Sequence, residues 1–335
     1  MRNICLATLL GVLGLIPSIS AQVRNEFLLE RNWKFTREDI PEFVNPVYDD
    51  SKWQSVTVPH DWAIYGPFSA QNDKQNVAIV QDGQKDALEH AGRTGGLPFV
   101  GVGWYRTSFD IPQFTQGKHA TILFDGAMSH AEVYINGEKV GYWPYGYNSF
   151  YFDITKYLKP GEKNTLAVRL ENQPESSRWY PGAGLYRNAH VIVTGDAYIP
   201  IWGTQITTPV VNNDFARVNL KTKVTLPEGT SSKKYSLQTE IKNPNGETIL
   251  KTSSSLLPFD GNCFTQEAII QTPRLWSPDR PELYTAVSRL YEGEILKDEY
   301  STPFGIRSIE IIPDKGFFLN GEKTIFKGVC NHHDL

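Results

Sequence analysis

Apolar residues in this chain recur at every second position rather than at helical spacing. Val133 and Ile135 alternate with Glu132 and Tyr134, and the Asn136-Gly137 pair then returns the chain through Val140, the signature of a tight β-hairpin. Leu166, Val168 and Leu170 alternate with Ala167, Arg169 and Glu171, while 121–124, 191–193 and 104–109 read as further strands. Later, Ala216, Val218, Leu220, Val224 and Leu226 share one parity against Arg217, Asn219, Lys221, Lys223 and Thr225. That is a half-buried antiparallel strand. Tyr235, Leu237 and Ile241 form the next parity set, and Pro244-Asn-Gly246 turns the chain before 248–250. No stretch sustains a 3.6-residue apolar period, so a mainly β protein is expected.

The strands group into units. Residues 22–196 are expected to form a two-sheet sandwich of jelly-roll form, and 197–307 a seven-strand immunoglobulin-like sandwich. Two long loops, 64–103 and 172–184, interrupt the first unit, and the second loop carries Trp179 and Tyr180 beside Pro181. Such loops in a compact domain are functional or disordered, and the paired rings argue against disorder. The 197–307 unit shows no clustered titratable or aromatic groups and reads as a spacer. Residues 308–335 open with a hairpin at Asn320-Gly321, after which 324–329 reads as a buried strand ending in Asn331, His332, His333 and Asp334. A polar cluster at the carboxyl end of a strand is where a TIM (β/α)8 barrel keeps its active-site groups, so this stretch reads as the start of a barrel.

A chain of 335 residues exceeds a typical single domain. Its 8 Trp and 16 Tyr suit β-rich units and flat rings that can stack on a ligand. The net charge of −4 comes without a Lys/Arg run, which speaks against a nucleic-acid partner. Residues 1–21 combine Arg2, an apolar run over 4–16 and the small residues Ser18, Ser20 and Ala21, the pattern of a secretory signal peptide. The run is too short to span a bilayer and Cys5 lacks lipoprotein spacing. The mature protein is expected to be exported, periplasmic or extracellular, with no membrane partner. Cys263 and Cys330 then remain, without a C-x-x-C pair, so neither a disulfide framework nor a zinc site is indicated, and each is expected to be a small buried apolar residue.

Four motifs carry a family resemblance: Val58-Pro-His-Asp-Trp62; Gly101-Val-Gly-Trp-Tyr-Arg106 with Phe109; Arg178-Trp-Tyr-Pro-Gly-Ala-Gly-Leu-Tyr-Arg187; and Leu275-Trp-Ser-Pro278 with Pro281-Glu-Leu-Tyr284. Phe304-Gly-Ile-Arg307 and the terminal hairpin follow in order. The chain resembles the family 2 glycoside hydrolases, the group of β-galactosidases, β-glucuronidases and β-mannosidases, and is most similar to secreted β-galactosidase-like members. The resemblance implies a sugar-binding jelly roll, an immunoglobulin-like sandwich and a catalytic barrel. It implies a retaining mechanism with two glutamates on later barrel strands, about 5 to 5.5 Å apart. Those strands are expected beyond Leu335, so no Glu of this chain takes a catalytic role and the chain alone is expected to be inactive.

The family's N-R-H-E pattern falls on Asn331, His332, His333 and Asp334, which implies His333 as a sugar contact with Asn331 and Asp334 beside it. The sequence departs at His332 and Asp334, where the family has Arg and Glu. Neighbours on a strand point to opposite sides, so His332 and His333 should not share a ligand. Arg178 and Trp179 occupy the region from which the family's first domain reaches toward the barrel mouth. An indole suits the C–H face of a pyranose, and Arg178 could grip an acidic group or pair with Glu175; Trp179 and Tyr180 could equally pack between domains. His60 beside Asp61 is either a dyad or a hydrogen-bonded structural corner, and the lack of a nucleophile motif favours the corner. Some members use Mg²⁺ or Na⁺ near the active site, but no convergent oxygen cluster is visible here. Two functions stay open: the amino-terminal part of an exported retaining β-glycosidase acting on terminal β-linked sugars, β-galactosides first, or a non-catalytic carbohydrate-binding or complementing module that ends naturally at Leu335. Both take a carbohydrate partner, and a homo-oligomer is open in both.

Overall fold

The computed structural model describes residues 23–69, 71–72, 97–111, 117–174, 176, 179–231, 234–255 and 261–329. The first unit contains β1 (Asn25–Leu28), β2 (Trp33–Thr36), β3 (Gln54–Val56), β4 (Gly101–Asp110), β5 (His119–Phe124), β6 (Ala131–Ile135), β7 (Glu138–Trp143), β8 (Phe150–Asp153), β9 (Lys163–Asn172) and β10 (Ala189–Thr194). They form a four-stranded sheet, β1-β10-β5-β8, and a six-stranded sheet, β3-β2-β4-β9-β6-β7. The inward parities of both sheets meet in one core that includes Trp33, Tyr105, Ile122, Val133, Val168 and Val191. Each large apolar side chain buried there contributes about 1.5 to 3 kcal/mol. The expected hairpin joins β6 to β7, with Asn136 and Gly137 both at positive φ (51° and 89°), as a two-residue turn matched to strand twist requires.

β4 is buried on both faces, which simple alternation does not announce. Its outer face lies under residues 37–53, where Phe43, Trp104 and Ala167 form a smaller cluster with Tyr48 and Trp53 against it. Arg106, only 2% exposed, pairs with Asp50 at 2.9 Å, donates to the Phe43 carbonyl, and lies over the rings of Tyr48 and Trp53. Gly103 of this strand is glycine for space: a Cβ there would stand 2.5 Å from the Trp62 ring.

The second unit contains β11 (Thr204–Val211), β12 (Phe215–Lys223), β13 (Tyr235–Lys242), β14 (Thr248–Ser255), β15 (Cys263–Gln271), β16 (Tyr284–Glu292) and β17 (Ile295–Phe304). Sheets β11-β12-β15 and β14-β13-β16-β17 give the expected seven-strand sandwich. Its core is two apolar clusters, one around Val218, Ile241 and Ala286, the other around Tyr235, Leu237 and Leu290. Fully buried polar side chains occur on the same inward parity: Thr222, Thr239 and Ser288, with Gln266 nearly so. The Thr239 hydroxyl donates to Gln266 Oε1 at 2.7 Å and meets Ser288 at 3.3 Å, while Gln266 Nε2 donates to the Leu237 carbonyl at 3.1 Å. The spacer expectation needs one correction. Charged groups do cluster on this unit, because pairing sets Glu240, Lys251, Arg289 and Glu299 side by side on β13, β14, β16 and β17, with contacts of 2.6 to 3.2 Å.

The last described strands, β18 (Ile309–Ile312), β19 (Gly316–Leu319) and β20 (Glu322–Lys323), form a three-stranded antiparallel sheet. Its second turn is the expected Asn320-Gly321 hairpin, both residues again at positive φ. The strand expected at 324–329 is not formed: the segment has no strand pairing, and Ile325, Phe326 and Val329 are exposed, with Phe326 touching Phe317. A barrel strand buries both faces and needs neighbours that no described residue supplies. No α-helix occurs among the described residues. Cys263 is half-buried rather than buried, and Cys330 lies outside the described residues.

Candidate functional site

One end of the first sandwich is built from four loop segments, 58–66, 125–130, 144–149 and 179–187, that hold one another. The Val58-Pro-His-Asp-Trp62 motif supplies the anchor, with Val58 and Trp62 in the core. Asp61 accepts from the Ala63 amide at 2.9 Å in a local Asx turn, from the Ala183 amide at 3.3 Å, and from the Tyr180 hydroxyl through both carboxylate oxygens. Burial and the Asp61 carboxylate together push the Tyr180 hydroxyl well up, so it stays protonated and keeps donating. The His60 amide donates to the Leu185 carbonyl at 2.7 Å, and His60 Nδ1 lies 2.7 Å from the Tyr105 hydroxyl. Burial lowers the His60 imidazole, against the pull of Asp61. His60 and Asp61 therefore serve different partners among the described residues, Tyr105 and Leu185 for the one, Ala63, Tyr180 and Ala183 for the other. The alternative left open by their adjacency resolves to a structural corner.

The other segments lock onto this corner. Gly184 and Met128 exchange backbone hydrogen bonds at 2.9 and 3.0 Å, and a Cβ on Gly184 would come within 2.3 Å of the Tyr105 hydroxyl. Gly184 also sits at φ +83°, so both space and backbone conformation require glycine. The Tyr147 hydroxyl donates to the Pro181 carbonyl at 3.1 Å, and the Tyr186 hydroxyl to Gly146 at 2.7 Å. On this support Trp179 stays 44% exposed, with the half-exposed, edge-packed Tyr145 and Tyr147 on the neighbouring loop. The result is a loop-built platform that presents exposed aromatic rings at this end of the sandwich. Two carboxylates of these loops are engaged, Asp61 as described and Asp125 with His190 at 3.2 Å.

Of the expected site residues, the structure places Trp179 on this platform. Arg178, Asn331, His332, His333 and Asp334 lie outside the described residues. Tyr145 and Tyr147 were not anticipated; the aromatic and glycine-rich run Trp143-Pro-Tyr-Gly-Tyr147 is the signal that could have found them. Among the described residues no three His, Cys, Asp or Glu side chains converge.

These features define a modular all-β protein in which a sandwich with an aromatic, loop-built platform precedes an immunoglobulin-like sandwich. Residues 28–195 match the glycosyl hydrolases family 2 sugar binding domain, and residues 198–307 match glycosyl hydrolases family 2. The chain belongs to that family. It is 37% identical over 329 residues to the β-galactosidase BoGH2A of Bacteroides ovatus, covering 97% of this chain and 36% of the relative. It is 29% identical over 343 residues to a β-glucuronidase of Bacteroides fragilis, covering 98% of this chain and 44% of the relative. The crystal structure of a family 2 member from Bacteroides cellulosilyticus superimposes with a TM-score of 0.80 at 33% identity, covering 92% of this chain and 39% of that one. The chain thus spans less than half the length of each of these proteins.

Proposed function

We propose that this chain is the amino-terminal part of an exported retaining β-glycosidase that acts on terminal β-linked sugars, with β-galactosides as the first substrate class. The observation that carries the reading is the family match over both sandwiches in the family's order, 28–195 then 198–307. The relative named a β-galactosidase, at 37% identity, supports the choice of sugar. In this reading the platform around Trp179 forms one wall of the substrate site. His333 contacts a sugar hydroxyl, Asn331 and Asp334 stand beside it, and Arg178 borders the pocket. The carboxylate pair that forms and breaks the glycosyl-enzyme bond is assigned to no residue of this chain.

The complete protein, assayed on chromogenic β-galactosides and β-glucuronides, should hydrolyse the galactosides, and the 335-residue chain alone should hydrolyse neither. Turnover of neither substrate by the complete protein would sink the reading, and robust turnover by the isolated chain would sink the assignment of catalysis elsewhere. His333→Ala in the complete protein should lower kcat and kcat/KM together with little loss of stability. A second reading, a β-glucuronidase, is favoured by the relative of that name in Bacteroides fragilis. In that case Arg178 would meet the uronate carboxylate and the glucuronide arm would respond instead.

A further inference from the structure

A second cleft lies away from the loop platform, where the two sandwiches meet. The outward parity of the four-stranded sheet puts His119, Tyr151, Asp153 and Thr194 on its outer face, and residues 198–203 cross over that face on the way into β11. The space between them is 580 Å³. Two aromatic rings mark it. Trp202, from the second unit's leading turn, is 56% exposed and meets Tyr151 of the first unit edge to face, with ring centroids 5.5 Å apart at 65°. Tyr151 is itself 43% exposed.

Trp202 occupies an expensive position. The Gly203 amide closes a turn onto the Pro200 carbonyl at 2.8 Å, and Trp202, just before Gly203, has φ +57°. Glycine or asparagine takes that conformation at little cost, whereas a bulky residue there is an outlier that strains the backbone. Burial does not explain the tryptophan, since most of its ring faces solvent. The turn is nevertheless held firmly. The Trp202 amide donates to the Tyr300 hydroxyl at 3.0 Å, and the Tyr300 ring lies under the Arg24 guanidinium at 4.8 Å. Arg24 grips the fully buried Asp298 at 2.6 and 3.1 Å, tying the start of the first unit to the second.

Polar groups edge the rings. His119 stacks on Tyr198 at 4.5 Å and pairs with Asp153 at 3.3 Å, and Lys223 completes the rim. Thr194, almost fully buried, keeps a hydroxyl with no hydrogen-bond partner among the described residues. An exposed, strained indole beside a tyrosine, on a pinned turn with an imidazole–carboxylate pair at its edge, is suited to a ligand with one C–H face and one hydroxyl edge.

We propose that this inter-sandwich cleft is an accessory carbohydrate-binding site, in which Trp202 and Tyr151 stack on a pyranose unit while Asp153 and His119 bond its hydroxyls. The choice of a sugar rests on the glycosidase reading; the cleft and its strained tryptophan do not. The site would hold a glycan apart from the platform that carries Trp179, raising the local concentration of chain ends without touching the reacting bond.

The test is isothermal titration of the full 335-residue chain with galactotetraose and with cellotetraose at millimolar concentration, repeated on Trp202→Gly and Tyr151→Ala. The parent should bind at least one of them. Trp202→Gly should lose about tenfold or more in affinity while its Tm stays level or rises, because glycine relieves the backbone. Tyr151→Ala should also weaken binding. Absence of binding in the parent, or parent-like binding by Trp202→Gly, overturns the proposal. Hydrolysis by the complete protein is read separately: failure to bind here leaves the glycosidase reading standing, and binding lost in Trp202→Gly supports the cleft even if the complete protein hydrolyses neither substrate class.

Discussion

The two sandwiches share an architecture and differ in where they spend buried polar groups. The first keeps its main core apolar and gathers hydrogen-bonding groups at one rim, where Asp61, Tyr105, Tyr180 and Gly184 knit four loops together. The second sets Thr239, Gln266 and Ser288 in the middle of its core. Polar groups at a rim position a surface, and polar groups in a core favour one register over its neighbours, since a slipped strand would leave them unpaired. The first unit thereby fixes the loops at one end, and the second fixes its strand pairing.

The largest expected effect lies at the rim. Asp61→Ala strips an acceptor from the Tyr180 hydroxyl and the amides of Ala63 and Ala183, and should destabilise the first sandwich by about 3 kcal/mol. Urea unfolding followed by hydrogen exchange on each unit would show it. Equal loss in both sandwiches would break the assignment of the corner to the first alone.

Gln266→Leu should follow at about 2 kcal/mol, confined to the second sandwich, because the Thr239 hydroxyl and the Leu237 carbonyl lose their partner. The triple change Thr239→Val, Gln266→Leu, Ser288→Ala should recover the part of that loss due to side chains, since no hydroxyl is then left unpaired and only the Leu237 carbonyl still lacks its Gln266 donor. Recovery accompanied by a unique, well-dispersed NMR spectrum would mean that the belt is dispensable for register.

A pH titration sharpens the contrast further. Burial holds His60 and His119 below the ordinary 6.5, and both belong to the first sandwich. The unfolded chain takes up protons on them at a higher pH than the folded one, so their contribution is complete above pH 6.5 and is lost as pH falls through the lowered folded values. The first transition should weaken on mild acidification while the second holds, and His60→Gln should flatten the slope. A first transition that strengthens on acidification would contradict the burial of both imidazoles.

The smallest stability effect is expected at Trp179→Ala, within about 0.5 kcal/mol, because the ring is half-exposed and the loop is held by its neighbours. The same change in the complete protein should raise KM for β-galactosides. A large drop in Tm with unchanged kinetics would move Trp179 from the substrate wall to a packing contact between domains.

Much of this was legible along the chain. Alternation at Val133 and Ile135 and across 216–222 placed strands, although β12 ends at Lys223 and leaves Val224 and Leu226 beyond it, and Asn136-Gly137 and Asn320-Gly321 placed turns, because side-chain direction and positive φ are properties of a few neighbouring residues. The family motifs were equally visible. What the chain order could not show is which distant groups meet. Asp61 finds Tyr180, Glu240 finds Arg289, and Trp202 finds Tyr151 only after strands pair and sheets stack. The 324–329 segment makes the same point in reverse, since its apolar pattern suits a buried strand but burial requires neighbours. Local periodicity sets what an element can be; only the tertiary structure decides what each face of it touches, because contact energies act across space and carry no sequence spacing of their own.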